Sequence, residues 1–400
     1  MTAKAWYAFV RCFVLVMCGH ARLDQQRHLA GTAAGLLLFL VGLAKTFHNL
    51  LIMTRRERDQ KGCQRSDTSK QDGGVTCLFG RQCSHLIPLL YNKGQYKLRL
   101  AAHSQDSAKA LESRFPDAEV AITDLTSLAS CQKLLHGATS VYHVGPSFHS
   151  REKEMGFNMI DAAVAERQRS GNVFEHFVFA SVLSTQHRNL MQHDLKSYVE
   201  ERLFLSPLNW TILKPTNFMD AYPVAMLAQQ EKPVLERLWN VEVPNSMIAL
   251  RDLAEAAAKV LTEREKHYLA EYPLCSTMPL SDRQVAEAIS KRTGKEITCV
   301  SPPHETGVRK VLTWLFGMKE TSSADLVYAD TSDDAYAGRA LANTGDLRAD
   351  LAKDEAERLI LFYNRRGLLG SPNVLRWVLG REPTTLEEWI ESQMKEAGLA

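Results

Sequence analysis

The stretch Val75-Thr76-Cys77-Leu78-Phe79-Gly80-Arg81-Gln82-Cys83-Ser84-His85-Leu86 restricts the fold more than any other part of the chain. Val75 to Phe79 is short and apolar and reads as a buried strand, Gly80 breaks it, and Ser84 onward opens a mostly apolar helical face. In a parallel βαβ unit, a turn of this kind sets the free N–H groups of a helix N-terminus against a dinucleotide pyrophosphate. The usual turn carries three glycines. The first permits the bend, the second lets phosphate approach the backbone, and the third lets helix and strand pack closely. Gly80 keeps the first role, whereas Cys83 and Leu86 occupy the other two positions. The fold signal is therefore stronger than the cofactor signal. Gly80, Arg81, Gln82 and Cys83 are the candidate phosphate-side residues. Cys77 and Cys83 also invite a redox reading, against which stands the tendency of buried cysteines simply to pack.

Strands and helices alternate from this point. Helices are expected over 84–92, with Pro88 early in it, then 107–115, 127–135, 152–168 and 195–205, the last capped by Asp194. Strands are expected over 97–102, 119–122, 140–144, 176–180 and 210–213. This rhythm predicts an α/β fold, a doubly wound parallel sheet with helices on both faces. All strand C-termini then share one edge, where ligands bind. Residues 216–400 are more helical, with joints at Pro302-Pro303 and Pro383, and are expected to form a smaller C-terminal lobe over that edge.

Residues 1–72 look foreign to this pattern and form a leader ending in a polar linker, Gln60 to Gly74. An apolar run from Leu29 to Ala44 resumes at Phe47 to Met53 after Lys45, and Arg55-Arg56-Glu57-Arg58 follows. A bilayer span needs about 20 mostly apolar residues. Two readings stay open for residues 29–53, a membrane anchor that keeps the main domain cytoplasmic and an interfacial leader. The net charge of +2 gives no basic field for nucleic acid, so none is expected as a partner. The eight cysteines form no CxxC pair or Cys/His cluster at zinc spacing, so no metal is expected, and their scatter suits reduced thiols in the cytoplasm.

Further candidates lie at the expected ligand edge. His103, with Arg99 and Lys109 nearby, follows the second strand, where no acid is placed for a ribose; that leans towards NADP over NAD. Asp124 and Leu125 after the third strand could border an adenine pocket, or Asp124 could cap the next helix. Ser181 ends the fifth strand, and Lys196 lies in the first turn of the following helix, where a lysine can hold a nicotinamide ribose or act as an acid. A Tyr four residues before that Lys is absent, since Gln192 stands there; Tyr198 points to another helix face. The plain alternative for Lys196 is a solvated charge paired with Glu200 at i+4.

Residues 75 to about 395 resemble the NmrA-like family, an atypical branch of the short-chain dehydrogenase/reductases. The resemblance is carried by Asp124-Leu125-Thr126-Ser127-Leu128 with Gly137-Ala138-Thr139-Ser140-Val141-Tyr142-His143-Val144. It continues in Lys196-Ser197-Tyr198-Val199-Glu200-Glu201, Trp210 to Asp220 and Ile248-Ala249-Leu250-Arg251-Asp252-Leu253-Ala254. It implies a Rossmann-type core, NADP as cofactor and one of two roles. One is an NADP-dependent oxidoreductase of a small organic substrate, as in specialised-metabolite pathways, using a lysine like Lys196; with Ser181 at the strand end beside it, Lys196 and Ser181 are then the candidate catalytic residues. The other is a non-catalytic dinucleotide sensor acting through a protein partner. The family's glycines map to Gly80, Cys83 and Leu86, and its basic 2′-phosphate residue to His103. The intact Lys196 segment favours the oxidoreductase, and the lost glycines favour the sensor.

Overall fold

The computed structural model describes residues 49–54, 81–92, 94, 96–147, 149, 151–316, 318–320, 326–328 and 346–399. The expected strand Val75–Phe79 and residues 1–48 of the leader lie outside these.

Seven strands form the main sheet: β1 (Asn49–Thr54), β2 (Lys97–Ala102), β3 (Glu119–Ile122), β4 (Ala138–Val144), β5 (His176–Ala180), β6 (Trp210–Pro215) and β7 (Ala270–Leu274). Their order across the sheet is β7-β6-β5-β4-β1-β2-β3. All neighbouring pairs are parallel except those of β1, which runs antiparallel to both β2 and β4. This is a doubly wound α/β sheet of Rossmann type with one reversed strand at its centre. Every residue of β4 and β5 is buried, as expected of strands covered on both faces.

The slot between β2 and β4 is where the strand ahead of the glycine turn belongs, and Asn49–Thr54 fills it. Asn49 pairs with Val144 and Thr54 with Lys97, so the apolar segment Asn49-Leu-Leu-Ile-Met-Thr54 completes the backbone ladder there. The sequence had assigned these residues to a leader or a membrane segment. A short, β-prone apolar run serves an open central slot as readily as a bilayer when each backbone N–H and C=O needs a partner. Among the described residues no helix is long and apolar enough to cross a membrane.

Helices cover both faces. On one lie α1 (Arg81–Tyr91), α2 (Gln105–Arg114) and α6 (Leu250–Glu263), and on the other α3 (Leu128–Leu135), α4 (Glu152–Gln168) and α5 (Met191–Phe204). Alternate residues of the strands feed the two cores, Tyr142, Val144, Val178 and Ala180 on the first side and Val141, Phe177 and Phe179 on the second. Residues 250–274 supply α6 and β7 and so return to the core. The rest of the C-terminal half packs around two smaller clusters, one about Trp389, Ile390 and Val285, the other about Ile360, Tyr363 and Cys275.

Two helix starts differ from expectation. α5 begins at Met191 after an extended Leu190, so Asp194 lies inside the first turn and pairs with Arg188 at 2.7 Å instead of capping. α3 is capped by Ser127, whose hydroxyl accepts from the Ser130 N–H at 3.3 Å. Asp124 serves an Asx turn instead, accepting from the Thr126 N–H at 2.8 Å and its hydroxyl at 2.7 Å.

Candidate functional site

The C-terminal ends of β4, β5 and β6 open into a cavity of about 310 Å³. Gly145, Ser181 and Pro215 close the three strands at its floor, Gln192, His193 and Lys196 line it from the start of α5, and Gln82 lines it from α1. The wall facing them carries Tyr222, Arg237, Trp239, Asp282 and Tyr363 from the C-terminal half. A ligand site at this place agrees with the general rule for open α/β sheets.

Lys196 is 4 % exposed and its Nζ donates to Glu152 Oε1, on the first residue of α4. Helix packing explains the meeting. Gly156 lies one turn beyond Glu152, and a Cβ there would stand 2.5 Å from a methyl of Val199, three residues after Lys196. Only glycine lets α4 and α5 approach this closely. Gly145 does the same for the carboxylate, because its own Cβ would meet Glu152 Oε1 at 2.9 Å. Burial pushes the Glu152 carboxyl above the usual range, and the Lys196 ammonium pulls it partly back. Glu152 Oε2 has no hydrogen-bond partner among the described residues. The sequence pairing of Lys196 with Glu200 is replaced by this contact. Glu200 instead accepts from Ser181 Oγ at 2.5 Å, Thr185 Oγ1 at 3.0 Å and Lys214 Nζ at 3.0 Å. The Ser181 hydroxyl proton is thus committed, and only the oxygen's lone pairs remain for a ligand.

His193, three residues before Lys196 on the same helix face, is fully buried. Its Nδ1 lies 2.9 Å from the Ser184 carbonyl oxygen, which can only accept, so the ring proton sits on Nδ1 and Nε2 holds a lone pair. Nε2 has no partner. Ser184 presents that carbonyl from a left-handed backbone, φ 59°, a conformation uncommon for a serine. Burial lowers the His193 pKa to about 4. Gln192 and Tyr198 behave as the spacing implied. Gln192 faces the cavity, while Tyr198 lies on the other side of α5 between the Lys153 ammonium and the Arg188 guanidinium, each 4.7 Å from its ring.

The turn residues fall into two groups. Gln82 borders the cavity and its Oε1 accepts from the Tyr142 hydroxyl at 3.1 Å. Cys83 and Leu86 are fully buried on the inward face of α1, packed with Ile87 and Leu90 in the core shared with α6. The Cys83 sulfur, at the position where a glycine would admit phosphate, therefore faces the core. Gly80 lies outside the described residues, as does Cys77. Arg81 is the first residue of α1.

At the other flank, His103 follows β2 at the strand-end edge, half-buried, with Nδ1 3.5 Å from Ser107 Oγ. Arg99 is withdrawn from any phosphate. It donates to the carbonyls of Leu134 at 2.6 Å and His136 at 2.9 Å and pairs with Glu119 at 2.9 Å. Asp124 is exposed, and Leu125 is buried, with its carbonyl accepting from Asn158 Nδ2 at 3.0 Å. The structure thus gathers Gln82, Ser181 and Lys196 around one cavity and leaves His103 and Asp124 outside its lining. Glu152, Arg237 and Asp282 were missed because sequence spacing carries no sign of them. His193 could have been found from its i−3 relation to Lys196.

The sequence matches the NmrA-like family over residues 75–335, well over half of the chain. The chain belongs to the NmrA-like family. No curated protein sequence matches it. This NmrA-like chain is similar in fold to the Escherichia coli NADPH-dependent quinone oxidoreductase QOR2, with 19 % identity and a TM-score of 0.56, covering 79 % of this chain and 98 % of that one. It is similar to the Citrobacter sp. triphenylmethane reductase complexed with NADP(H), with 15 % identity and a TM-score of 0.55, over 78 % and 95 % of the two chains. It is similar as well to NmrA, a negative transcriptional regulator, in complex with NADP, with 15 % identity and a TM-score of 0.54, over 80 % and 94 %. At these identities the likeness is one of fold. Among the described residues no group of three or more His, Cys, Asp or Glu is placed to hold a metal ion.

Proposed function

We propose that this NmrA-like chain is an NADPH-dependent oxidoreductase acting on a small organic molecule of the specialised-metabolite kind. The observation that carries the reading is the Lys196–Glu152 pair, two charges held almost out of water beside a cavity at the strand ends. Burying such a pair is expensive and adds little net stability, so a use at the site is the better reason for it.

The residues present fit the nicotinamide half of a dinucleotide. Gly145 keeps the end of β4 free of a side chain, Gln82 offers an amide from the start of α1, and Ser181 offers lone pairs. Gly80, Arg81 and the α1 N-terminus would serve the phosphates, His103 the 2′-phosphate, and Asp124 with Leu125 the adenine side. Bound there, NADPH supplies a hydride. Lys196 uses one of its three N–H donors on Glu152, which leaves two to hold a ribose hydroxyl and a substrate oxygen and to keep a proton at Nζ beside that oxygen. Glu152 fixes the ammonium in place, and the apolar side chains of Val144, Phe218 and Met247 keep water away.

A second reading, a dinucleotide sensor acting through a protein partner, is supported by Gln192 at the dyad position and by the Ser181 proton being spent on Glu200. NADPH titration by fluorescence, followed by turnover of a carbonyl and quinone panel by wild type and Lys196→Ala, separates the two. The oxidoreductase reading expects binding by both proteins and turnover by wild type alone. Binding without turnover of any substrate would overturn it in favour of the sensor.

A further inference from the structure

The wall opposite Lys196 has no part in the chemistry above and is built to an unusual standard. The Arg237 guanidinium lies 4.5 Å from the Tyr222 ring centre and 5.3 Å from that of Trp239. Trp239 stacks on Tyr363 at 4.4 Å and 20°, and the Tyr363 hydroxyl donates to Asn217 Oδ1 at 3.1 Å. Asp282, 2 % exposed, lies 3.0 Å from Arg237 Nε and accepts from the Tyr222 hydroxyl. The guanidinium is thus clamped between rings and anchored on one side.

Not all of its donors are spent. Nε faces the Asp282 carboxylate at 3.0 Å, while the terminal nitrogens make no hydrogen bond among the described residues. The Trp239 indole N–H is buried without a hydrogen-bond partner among the described residues. Buried donors of this kind are costly unless something accepts from them. All of these side chains line the cavity that Lys196 lines, and the wall around them is apolar, with Phe218, Met247, Leu359 and Leu368. Asp282 offsets the Arg237 charge, so a bare anion gains little by entering; an oxyanion carried on an apolar body gains both the donors and the burial.

We infer that this wall is a carboxylate-recognition subsite and that the substrate is an apolar carboxylic acid. Its carboxylate accepts from Arg237 and Trp239, its body packs on Phe218 and Met247, and its reducible group lies towards Lys196. The inference rests on the oxidoreductase reading only in naming the ligand a substrate; the subsite itself stands on the donors.

The test is calorimetric binding to the full chain, with and without NADPH, of 2-naphthoate, of 2-acetylnaphthalene (the same body with a neutral acceptor) and of acetate (the head without the body). The subsite predicts that 2-naphthoate binds at least tenfold more tightly than either of the others. It also predicts that Trp239→Phe, which keeps the ring and removes the N–H, weakens 2-naphthoate about threefold or more without changing 2-acetylnaphthalene to the same degree. Arg237→Lys keeps the charge beside Asp282 but loses the fork, and is expected to reduce the preference for the acid about tenfold. Equal binding of the acid and the ketone by wild type, or an unchanged preference in both Trp239→Phe and Arg237→Lys, would overturn the subsite. Acid binding by a protein that does not bind NADPH would sink the oxidoreductase reading and leave the subsite standing.

Discussion

Replacing Lys196 by methionine removes the cation that Glu152 faces and leaves a carboxyl that is 2 % exposed on its side chain, with Oε2 already unpartnered. Breaking a buried pair this way ordinarily costs about 3–5 kcal/mol, because the remaining charge has nowhere to go. Here the carboxyl has an escape. Its pKa is already raised by burial, and the one lowering influence, Lys196, is gone, so the folded variant takes up a proton. The cost is then capped by the work of protonating an ordinary carboxyl at the ambient pH. That is about 3.7 kcal/mol at pH 7 and about 1.6 kcal/mol at pH 5.5, taking about 1.36 kcal/mol per pH unit above an unfolded value near 4.3. The folded variant binds a proton that the unfolded chain has released, so its stability falls as pH rises. The double variant Lys196→Met with Glu152→Gln carries no charge at the site and is expected to recover most of the loss at both pH values. Urea unfolding followed by circular dichroism at pH 5.5 and pH 7 reads all three proteins, and NADPH-dependent turnover is read alongside. The functional assignment expects stability to return in the double variant while turnover does not. A deficit of equal size at the two pH values would refute the buried-carboxyl account, and turnover returning with stability would reduce the pair to scaffolding.

Acidification is expected to destabilise the wild-type chain before its carboxylates titrate. Burial holds His193 at about 4 and His176 at about 3, so between about pH 6.5 and 4 the unfolded state binds protons that the folded state refuses. Stability falls as pH drops, by on the order of 2–3 kcal/mol for each ring by pH 4.5, and a melting temperature that stays flat over this window would contradict it. Gly156→Ala forces α4 away from Val199 and should cost about 1–3 kcal/mol in urea, with loss of turnover as the Lys196–Glu152 contact is strained; a neutral result would mean the helices give way freely. Deleting residues 1–72 leaves the whole family match, which begins at Val75, and Val75–Phe79 can then enter the central slot in parallel. The shortened chain is expected to melt cooperatively, and failure to fold would make Asn49–Thr54 an integral strand of this protein.

The alternation of the chain was legible because each strand is a short β-prone run stopped by a turn. β2, β3 and β5 stand at the expected bounds, Lys97–Ala102, Glu119–Ile122 and His176–Ala180, and β5 is buried throughout, as a strand covered on both faces must be. The occupant of the central slot was not legible. Pairing there needs only an apolar, extended segment of the right length, and both Asn49–Thr54 and Val75–Phe79 meet that description. Helix starts were misread where a polar residue looked like a cap. Asp194 has the right chemistry, but Leu190 already adopts the extended backbone of a cap residue, and the helix begins one turn earlier. Lys196 was found because a helical lysine after a strand end has a known use. Its partner was not, because Glu152 is 44 residues away and meets it only through the close crossing at Gly156.

The lost glycines have a different meaning once the helix is seen from both sides. A glycine at the third turn position lets the first helix pack closely, and one at the second lets phosphate approach the backbone, a place from which the buried Cys83 side chain is turned towards the core. Here the room comes from α6, which carries Ala254, Ala257 and Ala258 at i, i+3 and i+4, all buried in the core that holds Cys83 and Leu86. Small residues on one helix offset larger ones on the other, as close packing demands of facing positions. Cys83 and Leu86 are thus read as core residues that trade volume with α6, and their presence does not count against a dinucleotide. Gln82, on the face of α1 that borders the cavity, is the turn residue whose chemistry bears on a ligand. What bears on function is the cavity beyond the turn, where Lys196 with Glu152 and, on the facing wall, Arg237 with Asp282 put two ion pairs around one small space.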